Sequence, residues 1–223
     1  MGAELQRIVI GLVCGAVLGL AAPATAQPYD PTEKSLDQLE TDLLAGRVSS
    51  VALVTAYEAR IARLTPALHA VIAVNPDALA AARAADASRA AREPQGPLAG
   101  LPILVKDNIE TADPMATTAG SLALKDNVTG RDAAVVARLR AAGAIILGKT
   151  NLSEWANIRS THSISGWSAI GGWTRNPYVL DRSTCGSSAA AVRRWLPAWR
   201  RRPWEPRPTA RWSAPAPSTA SFR

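Results

Sequence analysis

Apolar positions recur at helical spacing in four stretches of the chain, Leu36–Ala45, Val51–Leu64, Asp77–Arg92 and Ala133–Ala142, and each predicts an amphipathic helix. Ser49 or Ser50 supplies the N-cap of the second helix and Asp132 that of the fourth, and Gly143 ends the fourth. Between the helices lie three short apolar runs, Ala70–Val74, Leu101–Val105 and Ala144–Leu147. Their unbroken apolar character predicts strands covered on both faces. Helices and strands alternate, which gives an α/β class. The string REPQGPLAG over 92–100 reads as a surface connection and the stretch 175–186 as a long loop. No repeat of solenoid length is present.

At the front, Arg7 precedes an apolar run from Ile8 to Ala22, and Ala24-Thr25-Ala26 precedes Gln27. A charged start, a short apolar stretch and a small-x-small site form the pattern of a secretory signal peptide over 1–26. The alternative, a membrane anchor, falls short of the roughly 20 apolar residues needed to span a bilayer. An exported protein, periplasmic or secreted, is the expectation, with no stable membrane span once the leader is cleaved. Cys185 is then the one cysteine left, so no internal disulfide can form. His69 and His162 are the only histidines. Both read as surface or packing residues, and a histidine-based triad or a Cys/His metal cluster has little support.

The pattern changes after Ser188. Residues 193–223 hold eight Arg, no Lys and a single acid, Glu205, and they carry all of the formal +7 of the 223-residue chain. Trp195, Trp199, Trp204 and Trp212 fall there without an apolar period of either 2 or 3.6, so no core can be read from them. A domain over 27–188 followed by a disordered basic tail over 189–223 is therefore expected. The domain, about 160 residues, suffices for one core. Back-translating the tail with one extra base after Ser188 gives a Gly/Ala-rich stretch ending in TDGS, as a frameshift would produce.

Two clusters carry candidate chemistry. Lys106 follows the apolar run Leu101–Val105 and precedes Asp107-Asn108, so its ammonium emerges from a buried strand beside polar groups. Such a lysine is either a salt-bridged structural charge or a base, since desolvation lowers a lysine pKa by up to several units. The second is Cys185-Gly186-Ser187-Ser188, where small residues permit a tight turn that presents hydroxyls. A Ser pair in a Gly loop is also common in inert turns.

These segments together resemble the amidase signature family, hydrolases of carboxylic amides with a serine, cis-serine, lysine triad. The resembling blocks are residues 98–108 (LAGLPILVKDN), 117–121 (TTAGS), 148–156 (GKTNLSEWA), 175–178 (RNPY) and 185–188 (CGSS), in order. The resemblance implies the N-terminal portion of an amidase signature fold, a mixed central sheet flanked by helices, incomplete within this chain. It implies Lys106 as the base and Ser187 as the proton-relaying serine of a cis peptide bond. The family's acyl-accepting serine would fall at the shifted-frame TDGS, across the codons of Ala210 and Arg211, and so is absent as translated.

The resemblance implies no metal or organic cofactor. It implies a small amide or short peptide amide as the substrate of an intact relative, with no nucleic acid partner expected of an exported enzyme. The chain as given is expected to have little activity. Two rival readings are a secreted protein that binds anionic surfaces through its Arg/Trp tail, and a pseudoenzyme that retains a cleft without catalysis.

Overall fold

A computed structural model describes residues 29–158 and 160–189. The expected leader over 1–26 lies outside these residues. So does the tail from residue 190 onward; Ala189, the last described residue, is buried.

Four helices form where the apolar spacing places them, with ends set by local hydrogen bonding. Helix α1 (Leu36–Leu44) starts at a capping box: the Ser35 hydroxyl accepts from Gln38 N–H, and the Gln38 side chain accepts from Ser35 N–H. Helix α2 (Ser50–Leu68) is capped by Ser49, whose Oγ accepts from Ala52 N–H at 3.0 Å. Asp86 of α3 (Ala78–Ala90) adds a carboxylate there, accepting from the N–H groups of Ser50 and Val51 at 2.7 and 3.0 Å. The second helix runs past the expected end at Leu64, through Pro66, which forgoes the bond its N–H would have made to Ala62 O, and the added turn carries Leu68 into a buried position. It stops at His69, which takes a left-handed conformation with φ 51°.

Helix α4 (Ala134–Ala141) corrects a second expectation. Ala133 occupies its N-cap with no side-chain bond, while Asp132 accepts from Ala112 N–H and from Arg140 Nε. That aspartate ties a loop to the last turn of the helix instead of capping its first.

Three strands form the main sheet in the order β1 (Val71–Val74), β3 (Ile145–Thr150), β2 (Pro102–Lys106). The outer pair differ in sense: β2 runs parallel to β3, joined through α4, and β1 runs antiparallel to it. The period of two along β3 divides the core. Ile145 and Leu147 pack with Val54, Ile61, Val71, Ala78 and Ala82, under α2 and α3. Ile146 faces the other way, against Val105, Met115 and Val136. A third cluster of Leu39, Leu43, Val48, Leu53 and Leu101 seats α1. The fold is α/β with helices flanking a mixed sheet.

The central strand continues beyond the expected Leu147 to Thr150, and every residue of it is buried. Gly148 makes this possible, since a Cβ there would collide with the Ala73 carbonyl oxygen of β1. The apolar run ends at Leu147, but the strand pairing does not. A small hairpin, β4 (Trp167–Ser168) with β5 (Gly172–Trp173), follows, and a bridge between Arg175 and Ser183 closes the loop that leads to Ser187.

Candidate active site

Lys106 is the last residue of β2, in register with Thr150 of β3. The chain turns directly after it: Asp107 N–H donates to Thr150 O at 3.2 Å, and Ile109 N–H donates to Lys106 O at 2.9 Å. The turn aims the Lys106 ammonium toward the far end of the described chain. Its Nζ donates to Ser187 Oγ at 3.3 Å, joining two residues 81 apart in sequence. Both side chains are half-buried. Burial holds the Lys106 pKa below the ordinary lysine value of 10.5.

The Ser187 loop is shaped by its backbone. Cys185 and Gly186 take positive φ of 62° and 69°. The described residues contain no cis peptide bond, so the cis linkage expected at Ser187 is not found, and left-handed residues before it make the turn. Cys185 is exposed and free, and its N–H donates to Ser183 Oγ. His69 and His162 both lie at the surface, the first capping α2 and the second in a loop.

Behind the pair stands a layer of buried polar groups from the block 148–156, to which the sequence alone assigns no role. Lys149, Asn151 and Ser153 alternate along the end of β3 and its continuation, each wholly buried. Lys149 Nζ donates to Ile109 O at 2.5 Å and to Thr117 Oγ1 at 2.8 Å, which fastens the segment after Lys106 to β3. Asn151 Nδ2 contacts His69 O, Gly172 O and Thr174 Oγ1, and its Oδ1 accepts from Leu152 N–H and Ser168 Oγ. The start of β1 and the β4–β5 hairpin are thereby tied to one side chain. Ser153 reaches the Ser187 loop. The signal in the sequence was the alternation K-x-N-x-S directly after an apolar run. Such alternation ordinarily marks a strand with one wet face, so burial of all three was not legible from it.

Asp107, next to Lys106, is also buried, and its Oδ2 accepts from both the N–H and the hydroxyl of Thr118. Its Oδ1 has no hydrogen-bond partner. Burial pushes the Asp107 carboxyl up and the Lys149 ammonium down, while the Thr118 bonds and the attraction between the two charges oppose this. Desolvation dominates at both. The polar interior beneath the site is thus poorly solvated, and that is also the cause of the shift at Lys106.

A groove of about 500 Å³ opens beside the turn after Lys106, lined by Asn108, Ile109, Ala119, Leu124, Trp155 and Ile158 among others. Trp155 and Ala156 take left-handed conformations in its wall, with Trp155 N–H donating to Ala119 O. Among the described residues no group of three or more His, Cys, Asp or Glu is placed to hold a metal ion. No helix among them is long and apolar enough to cross a membrane.

Similarity to known proteins covers the same stretch of chain. The family model described as Amidase matches residues 52–192. An Arabidopsis thaliana protein named as a probable amidase is 46% identical over 162 residues, covering 72% of this chain and 32% of that protein. One polypeptide of the glutamyl-tRNA(Gln) amidotransferase of Symbiobacterium thermophilum is 45% identical over 160 residues, covering 71% of this chain and 32% of its own length. Among solved structures, the native peptide amidase of Stenotrophomonas maltophilia superposes with a TM-score of 0.68 at 53% identity, covering 71% of this chain and 33% of that one. The chain spans about a third of the length of these relatives.

Proposed function

Since this chain belongs to the amidase family, we propose that Lys106 and Ser187 form the proton-transfer pair of an amide-hydrolysing site. The observation that carries the reading is the contact of the Lys106 amine with the Ser187 hydroxyl, made by a lysine whose burial favours its neutral form. With the amine neutral, its lone pair accepts the Ser187 hydroxyl proton. Ser187 Oγ in turn takes the proton of an attacking serine hydroxyl as that oxygen bonds to the amide carbonyl. The proton returns along the same path to the leaving amine, and water later releases the acid from the acyl-enzyme. Every step is proton or acyl transfer, so this scheme calls on no cofactor.

The reading extends to a small amide or a short peptide amide as substrate, supported by the likeness to a peptide amidase. It extends also to export, supported by the leader pattern over 1–26. A nucleic acid partner has no support under that reading.

Residues 1–223 by themselves are proposed to turn over little or no amide. No TDGS serine is encoded in them, and removing a nucleophile with its oxyanion donors costs several orders of magnitude in rate. The test is an assay of simple amides with two proteins, the 1–223 chain and the product of the gene with one base inserted after the Ser188 codon. Hydrolysis by the second alone, abolished in Lys106→Ala and in Ser187→Ala, is the expected result. Turnover by the 1–223 chain that disappears in Lys106→Ala would contradict the proposed inactivity. Activity of the restored protein that survives both substitutions would remove the assignment of the pair.

A further inference from the structure

Ser153 meets the Ser187 loop from the interior with three hydrogen bonds. Its Oγ donates to Gly186 O at 2.7 Å and accepts from Gly166 N–H at 2.8 Å, and its own N–H donates to Ser187 O at 3.2 Å. The two consecutive carbonyls on either side of the Ser187 Cα are therefore both held by one residue. Fixing both peptide planes around a residue fixes the direction of its Cα–Cβ bond, and so where its hydroxyl can point.

The loop has few other constraints of its own. Cys185 and Gly186 are exposed and left-handed, outside any strand or helix, so regular backbone pairing does not set their course. Ser153 is wholly buried and lies three residues past the end of β3. Lys106 ends β2, in register with Thr150 at the end of β3. The amine and the anchor of the hydroxyl are thus both referenced to the ends of one parallel strand pair. Serine suits the position because one hydroxyl acts as donor and acceptor together. Alanine would leave Gly186 O and Gly166 N–H without these bonds.

We propose that Ser153 is a positioning residue for Ser187, holding the Gly186–Ser187 backbone so that the Ser187 hydroxyl faces the Lys106 amine. The proposal rests on the reading of Lys106 and Ser187 as a functional pair. It makes Ser153 act through Ser187 and not through contact with substrate. A residue that only stabilises the fold would lower stability without altering what Lys106 senses; a positioning residue alters Lys106 through Ser187 alone.

The experiment is a double-mutant cycle read at the Lys106 amine in the full 1–223 chain, using lysine labelled with ¹³C at Cε and the resonance assigned by its loss in Lys106→Arg. Ser187→Ala is expected to move the Lys106 titration midpoint, and Ser153→Ala to move it in the same direction by a comparable amount. Ser153→Ala added to Ser187→Ala is expected to move it no further, and Ser153→Thr to keep the wild-type midpoint. If the alanine variant does not fold, Ser153→Cys, close in volume but a weaker donor, is expected to shift the midpoint in the same sense. A midpoint that moves in Ser187→Ala but stays at wild type in Ser153→Ala or Ser153→Cys overturns the role of Ser153 and leaves the pair standing, as does full additivity in the cycle. A midpoint indifferent to Ser187→Ala overturns the pair and the positioning role together.

Discussion

Ile145-Ile146-Leu147 and Lys149-Thr150-Asn151 are consecutive parts of one buried stretch, and they are held by opposite chemistry. The first three residues fill apolar clusters on both faces of the sheet. Lys149 and Asn151 spend their side chains on hydrogen bonds to loops that the chain supplies from far away. Apolar burial is non-directional and tolerates a change of shape at moderate cost. Hydrogen bonds in a dry interior are directional, and each one lost strands a group that water cannot reach. The strand thus supports the fold with one half and sets the geometry of a site with the other.

Lys149→Met separates the two halves most forcefully. It preserves bulk but leaves Ile109 O and Thr117 Oγ1 without their bonds from the ammonium and removes the positive charge that offsets burial of Asp107. A loss of about 4 kcal/mol is expected, by analogy with breaking one partner of a buried charged network, read by urea unfolding. The Asp107 carboxyl is expected to rise further in the same variant. A wild-type stability for Lys149→Met would mean that the polar half is ordinary packing.

Ile146→Val tests the apolar half with a smaller effect. Removing one methylene from a closed cluster is expected to cost about 1 kcal/mol, with no change in the Lys106 titration midpoint. If this variant moved Lys106 as far as Ser187→Ala does, the division of labour along β3 would be wrong.

How legible each half was follows from the same contrast. The apolar runs over 70–74, 101–105 and 144–147 mark the three main strands, because continuous apolar residues between helices have few other uses, and Lys106 stands out as a charge at the end of such a run. The extension of β3 through Lys149 and Thr150 was not legible. Its polar residues look solvated until Ile109, Thr117 and the 186–187 loop are folded over them, and those contacts join residues 32 to 40 apart in sequence. The cap of α4 is illegible for a related reason: the helix starts one residue later than its apolar spacing suggests, so Asp132 stands before the N-cap Ala133, and its carboxylate is taken by Ala112 and Arg140. The Gly-Ser-Ser loop could be placed beside Lys106 only through resemblance. Its cis linkage, expected on that basis, is replaced by left-handed residues at 185 and 186.

The fold delivers a half-buried lysine amine to the hydroxyl of Ser187, and the account rests on that meeting. Its most direct test is the titration of the Lys106 Cε resonance in the intact wild-type chain. A midpoint clearly below 10.5 is the expected result, because burial penalises the charged form and no paired carboxylate among the described residues restores it. A midpoint at or above 10.5 would show a solvated or ion-paired lysine, and the proton-accepting role assigned to it would be untenable.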